Sequence, residues 1–190
     1  MLVFNKEQSF IAFVQCHTPG FEGYLDCGEV ALKEGKPMRR AADWLTVTSF
    51  AQREPHRFWF RCFEDQASSA RFFDIQSWSR RTGRDMHPAY RHAWLSANGY
   101  VKMDDEENDL QRLWRVTTFD GENSTDIGRD LKIGTVDSIE ILTPDSIALC
   151  ARGREQAGDY WHCYAATAGG PLLQLSLDIV DLGEELLDDH

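Results

Sequence analysis

The chain has 190 residues, 42% of them apolar and 12% aromatic, and its formal net charge is −11. A chain of this length buries roughly 70% of its unfolded surface, so neither a disulfide framework nor a structural metal is needed to hold a core together. The charge argues against a general nucleic-acid binder, because phosphate contacts need a clustered positive surface.

Short apolar or alternating runs punctuated by Gly, Pro, Asp and Asn recur along the chain, the signature of strands. Phe10–Cys16, Trp44–Phe50 and Arg57–Phe63 read as strands from their β-branched and aromatic content. Ala70–Trp78 fits helical spacing through Phe72, Ile75 and Ser79 and strand alternation through Phe73 and Ile75; the strand is preferred. A helix is expected at His87–Ala97, with Pro88 in its first turn, Asn98-Gly99 as C-cap, and Tyr90 and Trp94 on one face. Leu110–Phe119 alternates loosely and is expected to pair with its neighbours. Val136–Thr143 and Ser146–Arg152 flank Pro144-Asp145 as a hairpin would, and Tyr160–Thr167 and Leu172–Val180 extend it as a meander. The fold class expected is mainly β (α+β): an antiparallel barrel or sandwich of roughly 8–10 strands with one or two helices. One domain is expected over residues 1–182, followed by an acidic tail, 183–190, frayed or ordered by a partner.

The five cysteines (Cys16, Cys27, Cys62, Cys150, Cys163) are scattered and form no C-x-x-C pair, so reduced, buried thiols are expected. Residues Met1 to Lys6 contain no basic segment leading into an apolar run, and Glu7 interrupts early, so a cytoplasmic location is expected. The longest uncharged run, Tyr160 to Leu177, contains His162, Gln174 and a Gly169-Gly170-Pro171 break, which a membrane helix would tolerate poorly; no membrane partner is expected. Asn123-Ser124-Thr125 matches a glycosylation acceptor, which has no consequence without a secretory route.

Chemical motifs are sparse. Neither a G-x-G-x-x-G nor a P-loop occurs, and Arg80-Arg81-Thr82-Gly83-Arg84 reads as an anion grip or a solvated turn, with the turn preferred. His87 and His92 are five residues apart, which rotates them away from each other on a helix, and Cys16-His17 and His162-Cys163 alternate across a strand, so no metal and no cofactor is expected. No nucleophile elbow is present, and the acids Glu64-Asp65 and Asp104–Glu107 sit in polar stretches.

Two features stand out. Arg57, Arg61, Arg71 and Arg91 interleave with Phe58, Trp59, Phe60, Phe72, Phe73, Trp78, Tyr90 and Trp94. The mixture is either a binding hot spot using Trp59, Trp78 and Trp94, or a strand with Phe58, Phe60 and Cys62 inward and arginines stacked on outer rings; the second is preferred. Charge is also uneven: residues 36–91 carry eleven Lys or Arg against six acids, so the negative charge falls on the remainder, notably Asp104, Asp105, Glu106, Glu107 and Asp109. The leading functional expectation is a non-enzymatic binding protein of inhibitor or immunity type. It would occlude a protein with a basic surface through that acidic segment. The alternatives are a barrel carrying a small apolar ligand among Trp44, Phe58, Phe60, Trp114 and Trp161, and an enzyme using His92 or His162 as general base.

Overall fold

The computed structural model describes residues 1–50, 55–78, 91–104, 112–128 and 130–183. Its strands, in chain order, are β1 (Leu2–Phe4), β2 (Phe10–Cys16), β3 (Gly23–Lys33), β4 (Lys36–Thr48), β5 (Arg57–Asp65), β6 (Arg71–Trp78) and β7 (His92–Leu95). They continue with β8 (Val101–Asp104), β9 (Arg115–Phe119), β10 (Ser124–Asp126), β11 (Gly134–Leu142), β12 (Cys150–Ala157), β13 (Tyr160–Ala166) and β14 (Leu175–Leu182).

Between barrel and sandwich, the structure is a barrel. The antiparallel ladder runs β5-β6-β7-β8-β4-β3-β2 and closes where Phe10 to Phe13 of β2 pair with Phe60 to Arg57 of β5. Closure removes the edges of these seven strands. Along its opposite side β2 carries β14, which continues through β11 and β9 to β10. Trp114, just before β9, exchanges both backbone hydrogen bonds with Phe73 of β6 at 2.7 and 2.8 Å, so this second run also returns to the barrel. A third piece, β12 on β13, is attached to β4 through His162↔Thr48 to Tyr164↔Thr46.

Strand alternation fills the interior. Phe10, Ala12, Val14 and Cys16 of β2, Phe58, Phe60 and Cys62 of β5, and Phe73 and Ile75 of β6 all point into one core. Phe10 stacks on Phe60 at 4.7 Å and meets Phe73 edge-on at 5.9 Å. Each fully buried ring contributes about 2 kcal/mol of apolar transfer. Trp114 shares this core and donates its indole N–H to Ala93 O at 2.9 Å.

The structure departs from the sequence reading in four places. The helix expected at His87–Ala97 is a strand over His92–Leu95, while 87–90 lie outside the described residues. Ala93 enters the core while His92 and Trp94 face the other way, and Asn98-Gly99 turns the β7–β8 hairpin, with Gly99 at φ 80° and Ser96 N–H donating to Tyr100 O at 2.9 Å. In place of the expected helix or helices, the described residues contain the 3-10 turn Lys6–Gln8, capped by Asn5. The Pro144-Asp145 turn forms, but its return is a single bridge, Leu142↔Ala148, and β14 leaves the meander to lie between β2 and β11. Among the described residues fourteen strands replace the smaller expected number, in part because β3 and the first half of β4, before Trp44, carry no strand signal in the sequence reading. Its turn is Glu34-Gly35, at φ 52° and 75°, the positive-φ pair that a two-residue hairpin requires. Of the tail, Gly183 is anchored by its N–H to Ser9 O at 3.0 Å, and residues 184–190 lie outside the described set.

Candidate functional site

The outward face of β14, β11, β9 and β10 and its flanking turns carry a group of acids. Inward positions Leu175, Leu177, Ile179, Ile139, Ile141 and Val116 join the core, and of their alternates Asp178 and Thr135 are exposed, Glu140 and Asp126 are partly exposed, and Thr117 is buried. Asp137 emerges at the bulge between Val136 and Ile139, and Asp120, Glu122 and Asp130 sit exposed in the flanking turns. Against these acids stand Arg115, paired with Asp126 at 2.6 Å, and the exposed Lys132. Phe119 and Ile133 are exposed beside them, at 39% and 63%.

Of the acids singled out from sequence, Asp104 ends β8 and pairs with Lys102 Nζ at 2.5 Å, whereas Asp105, Glu106, Glu107 and Asp109 lie outside the described residues. The three tryptophans are not brought together. Trp59 and Trp78 pack edge-on at 5.5 Å in a small cluster with Ile11 and Val180 on the outside of the barrel wall. Trp94 is half-buried beneath the Arg112 guanidinium, 3.5 Å from the ring centre. The aromatic and arginine strand adopts the arrangement preferred above: Phe58, Phe60 and Cys62 are inward, Arg57 stacks over Phe13, and Arg61 lies over Phe4, Trp59 and Phe63. Phe58, Phe60 and Trp114, proposed as carrier lining, pack within the continuous core, and Trp44 lies outside against Tyr100 at 5.9 Å.

Three histidines sit in polar networks, and their partners fix which nitrogen carries the proton. The first network forms at an irregularity: β3 advances from Asp26 to Gly28 while β4 runs from Thr46 back to Ala41, and this bulge brings Asp26, Arg39 and His56 together. Arg39 Nε donates to Asp26 Oδ2 at 2.7 Å and its Nη2 contacts both Asp26 Oδ1 and His56 Nδ1. A guanidinium only donates, so Nδ1 accepts and the ring proton is on Nε2, facing Cys27 Sγ at 3.7 Å. Cys27, His56 and Asp26 therefore sit in the spatial order of a nucleophile, a base and its orienter, but with the proton on the wrong nitrogen for a base. Burial, reinforced by Arg39, drives His56 down to about 3, and burial, reinforced by Asp26, pushes the Cys27 thiol up. Both groups are neutral, and the network is structural.

The second network has the opposite tautomer. His92 Nδ1–H donates to Asp74 Oδ1 and Oδ2 at 2.9 and 3.0 Å, and Asp74 also accepts from Gln76 Nε2 at 2.7 Å and Arg61 Nη1 at 3.4 Å. Asp74 and His92 are 2% and 6% exposed. This carboxylate–imidazole pair leaves the Nε2 lone pair directed away from Asp74, as a general base requires. In the third, Val30 N–H donates to His162 Nδ1 at 3.3 Å, which puts the proton on Nε2 facing Tyr164 Oη at 3.4 Å and Glu155 Oε2 at 3.8 Å. Tyr164 O–H has Glu29 Oε1 at 3.1 Å and Glu155 Oε1 at 3.4 Å as acceptors. Burial opposes ionisation of Glu29, but hydrogen bonds from Arg40 and Tyr164 outweigh it and hold the carboxyl below its ordinary value.

Of the two general bases named from sequence, only His92 therefore has a base-type tautomer. Its partner Asp74 was missed, as was Asp26. The available signal was one acid inside an apolar strand, Phe72-Phe73-Asp74-Ile75 and Tyr24-Leu25-Asp26-Cys27, because a charge buried in a sheet needs a partner. Among the described residues no group of three or more His, Cys, Asp or Glu is placed to hold a metal ion, and no helix is long and apolar enough to cross a membrane. No family model matches the chain, and no curated protein or solved structure shows significant similarity to it.

Proposed function

We propose that the protein is a binding protein that occludes a basic protein partner, in the manner of an inhibitor or immunity protein, through its acidic surface. The observation that carries this reading is the clustering of Asp120, Glu122, Asp130, Asp137, Glu140 and Asp178 on and around one sheet with few compensating cations among the described residues. Such a face raises the association rate with a basic partner and repels acidic competitors. Exposed Phe119 and Ile133 supply apolar contact at its border. The Asp104–Asp109 segment adds five acids to the sequence, of which Asp104 alone is among the described residues.

The test is charge reversal. Asp137→Lys, Glu140→Lys and Asp178→Lys together change the face without touching the core. The protein and this variant are captured gently from their own cells and analysed by native mass spectrometry. A stoichiometric basic protein, bound by the wild type, released by salt and lost in the variant, is the expected result. Equal binding by the variant at low salt sinks the reading, and a small-molecule adduct of a few hundred daltons replaces it with the carrier alternative.

One observation favours a second reading, an enzyme: the Asp74–His92 pair with its base-type tautomer. Its check is a hydrolase panel run on wild type and His92→Gln. An activity lost in the variant, with a pH profile limited by one base, supports it; no activity on any substrate class removes it.

A further inference from the structure

We propose that His162 is a pH-operated latch that fastens the β3–β4 arm to β12–β13 when neutral and releases it when protonated. The arm is the hairpin of Gly28–Lys33 and Lys36–Ala41. Its two-residue turn makes Lys33↔Lys36 a hydrogen-bonded pair, and alternation then makes Ala31↔Met38 and Glu29↔Arg40 hydrogen-bonded and Val30↔Arg39 not. Pro37, which has no N–H to give, falls opposite Leu32 at another non-bonded position, as this register requires. The Val30 amide consequently points out of the hairpin, and its acceptor is His162 Nδ1.

A neutral imidazole can accept at one nitrogen; an imidazolium cannot accept at all. Protonation of Nδ1 sets one N–H against another, so Val30 loses its acceptor. The groups facing Nε2 reinforce the change. Glu155 of β12 lies 3.8 Å from Nε2 and Tyr164 of β13 is at 3.4 Å, both on the Nε2 side of the ring, away from Val30, whereas Glu29, behind the Tyr164 hydroxyl, belongs to the arm and its attraction for an imidazolium opposes release. Arg40 of β4, paired with Glu29, is the opposing charge. Thr48 of β4, the cross-strand neighbour of His162, is neutral and bonded to Trp161 O at 3.1 Å. Burial holds the ring below the ordinary histidine value, with Glu155 and Glu29 pulling the other way, so release falls on the acid side of neutrality. The arm's remaining hold on this side includes the Glu29–Tyr164 bond and Leu32, whose Cδ2 lies 3.6 Å from where a side chain at Gly158 would begin.

Amide hydrogen exchange followed by NMR tests the latch on the intact chain, with the His162 ring titrated in the same samples. After correction for intrinsic exchange, Val30 protection is expected to fall at least tenfold further than that of Val14, in the β2–β14 ladder, whose change reads the global stability loss over the same pH range. In His162→Gln, whose amide oxygen accepts without titrating, Val30 and Val14 are expected to change together. Undiminished Val30 protection after the ring has titrated, a ring that never titrates before acid unfolding, a Val30 fall no larger than that at Val14, or the same excess fall in His162→Gln each overturn the proposal. Should His162→Gln fail to fold, the wild-type titration decides alone.

Discussion

Acid stability is the sharpest quantitative consequence of the Asp26–Arg39–His56–Cys27 network. His56, its side chain 5% exposed, has a pKa near 3 in the folded state, against about 6.5 for an unperturbed histidine. Above the unfolded value both states are neutral at this ring and it contributes nothing to pH dependence. As pH falls below that value the unfolded chain binds a proton that the folded chain refuses, so stability is lost progressively toward the folded pKa. With these two pKa values the loss from this ring alone is about 2 kcal/mol on going from pH 7.5 to pH 5. His56→Gln removes the titration while keeping a polar side chain of similar reach. Urea unfolding followed by tryptophan fluorescence at pH 7.5, 6 and 5 should show the wild type losing about 2 kcal/mol more than His56→Gln across the window, whatever the variant's absolute stability. Parallel losses in the two proteins would refute the reasoning. So would an NMR titration in which the His56 ring takes a proton near pH 6.

Three further predictions follow from packing. Trp114→Ala deletes a 1% exposed indole and its bond to Ala93, and should cost about 3–5 kcal/mol in chemical denaturation. Gly170→Ala would place a Cβ 1.6 Å from Ala151 O, a backbone atom that cannot swing aside; a thermal melt should show a large drop or no folded protein, whereas Gly121→Ala, with open space, costs only the strain of its φ of 101°. All five thiols are buried, with burial pushing Cys62 and Cys163 up to about 12, so a thiol reagent should label the native protein only as fast as it opens and reach all five after unfolding. A stoichiometric thiol reacting within seconds at neutral pH would contradict this.

Much of the sheet could be read from alternation, because β2, β5 and β6 each place rings or aliphatics on one side: Phe10, Ala12 and Val14; Phe58 and Phe60; Phe73 and Ile75. Where the apolar run was short the pattern misled. His92 to Leu95 offers only four residues, and Pro88 and Asn98-Gly99 are punctuation shared by helices and hairpins. The β3–β4 arm escaped notice because Lys33, Lys36, Arg39 and Arg40 make it polar on both faces, a consequence of projecting beyond the barrel. The acidic face was legible only as an excess of charge; its location depends on β14 crossing to β11, a pairing between segments about forty residues apart that no local pattern announces. The histidine networks depend on a bulge and on cross-strand register, which lie beyond sequence periodicity.

Occlusion of a basic partner by the acidic sheet face is open to native mass spectrometry of the gently captured protein beside its Asp137→Lys, Glu140→Lys, Asp178→Lys variant. One stoichiometric basic protein is expected on the wild type, shed as salt rises and missing from the variant. The same partner retained by both at low salt would contradict it.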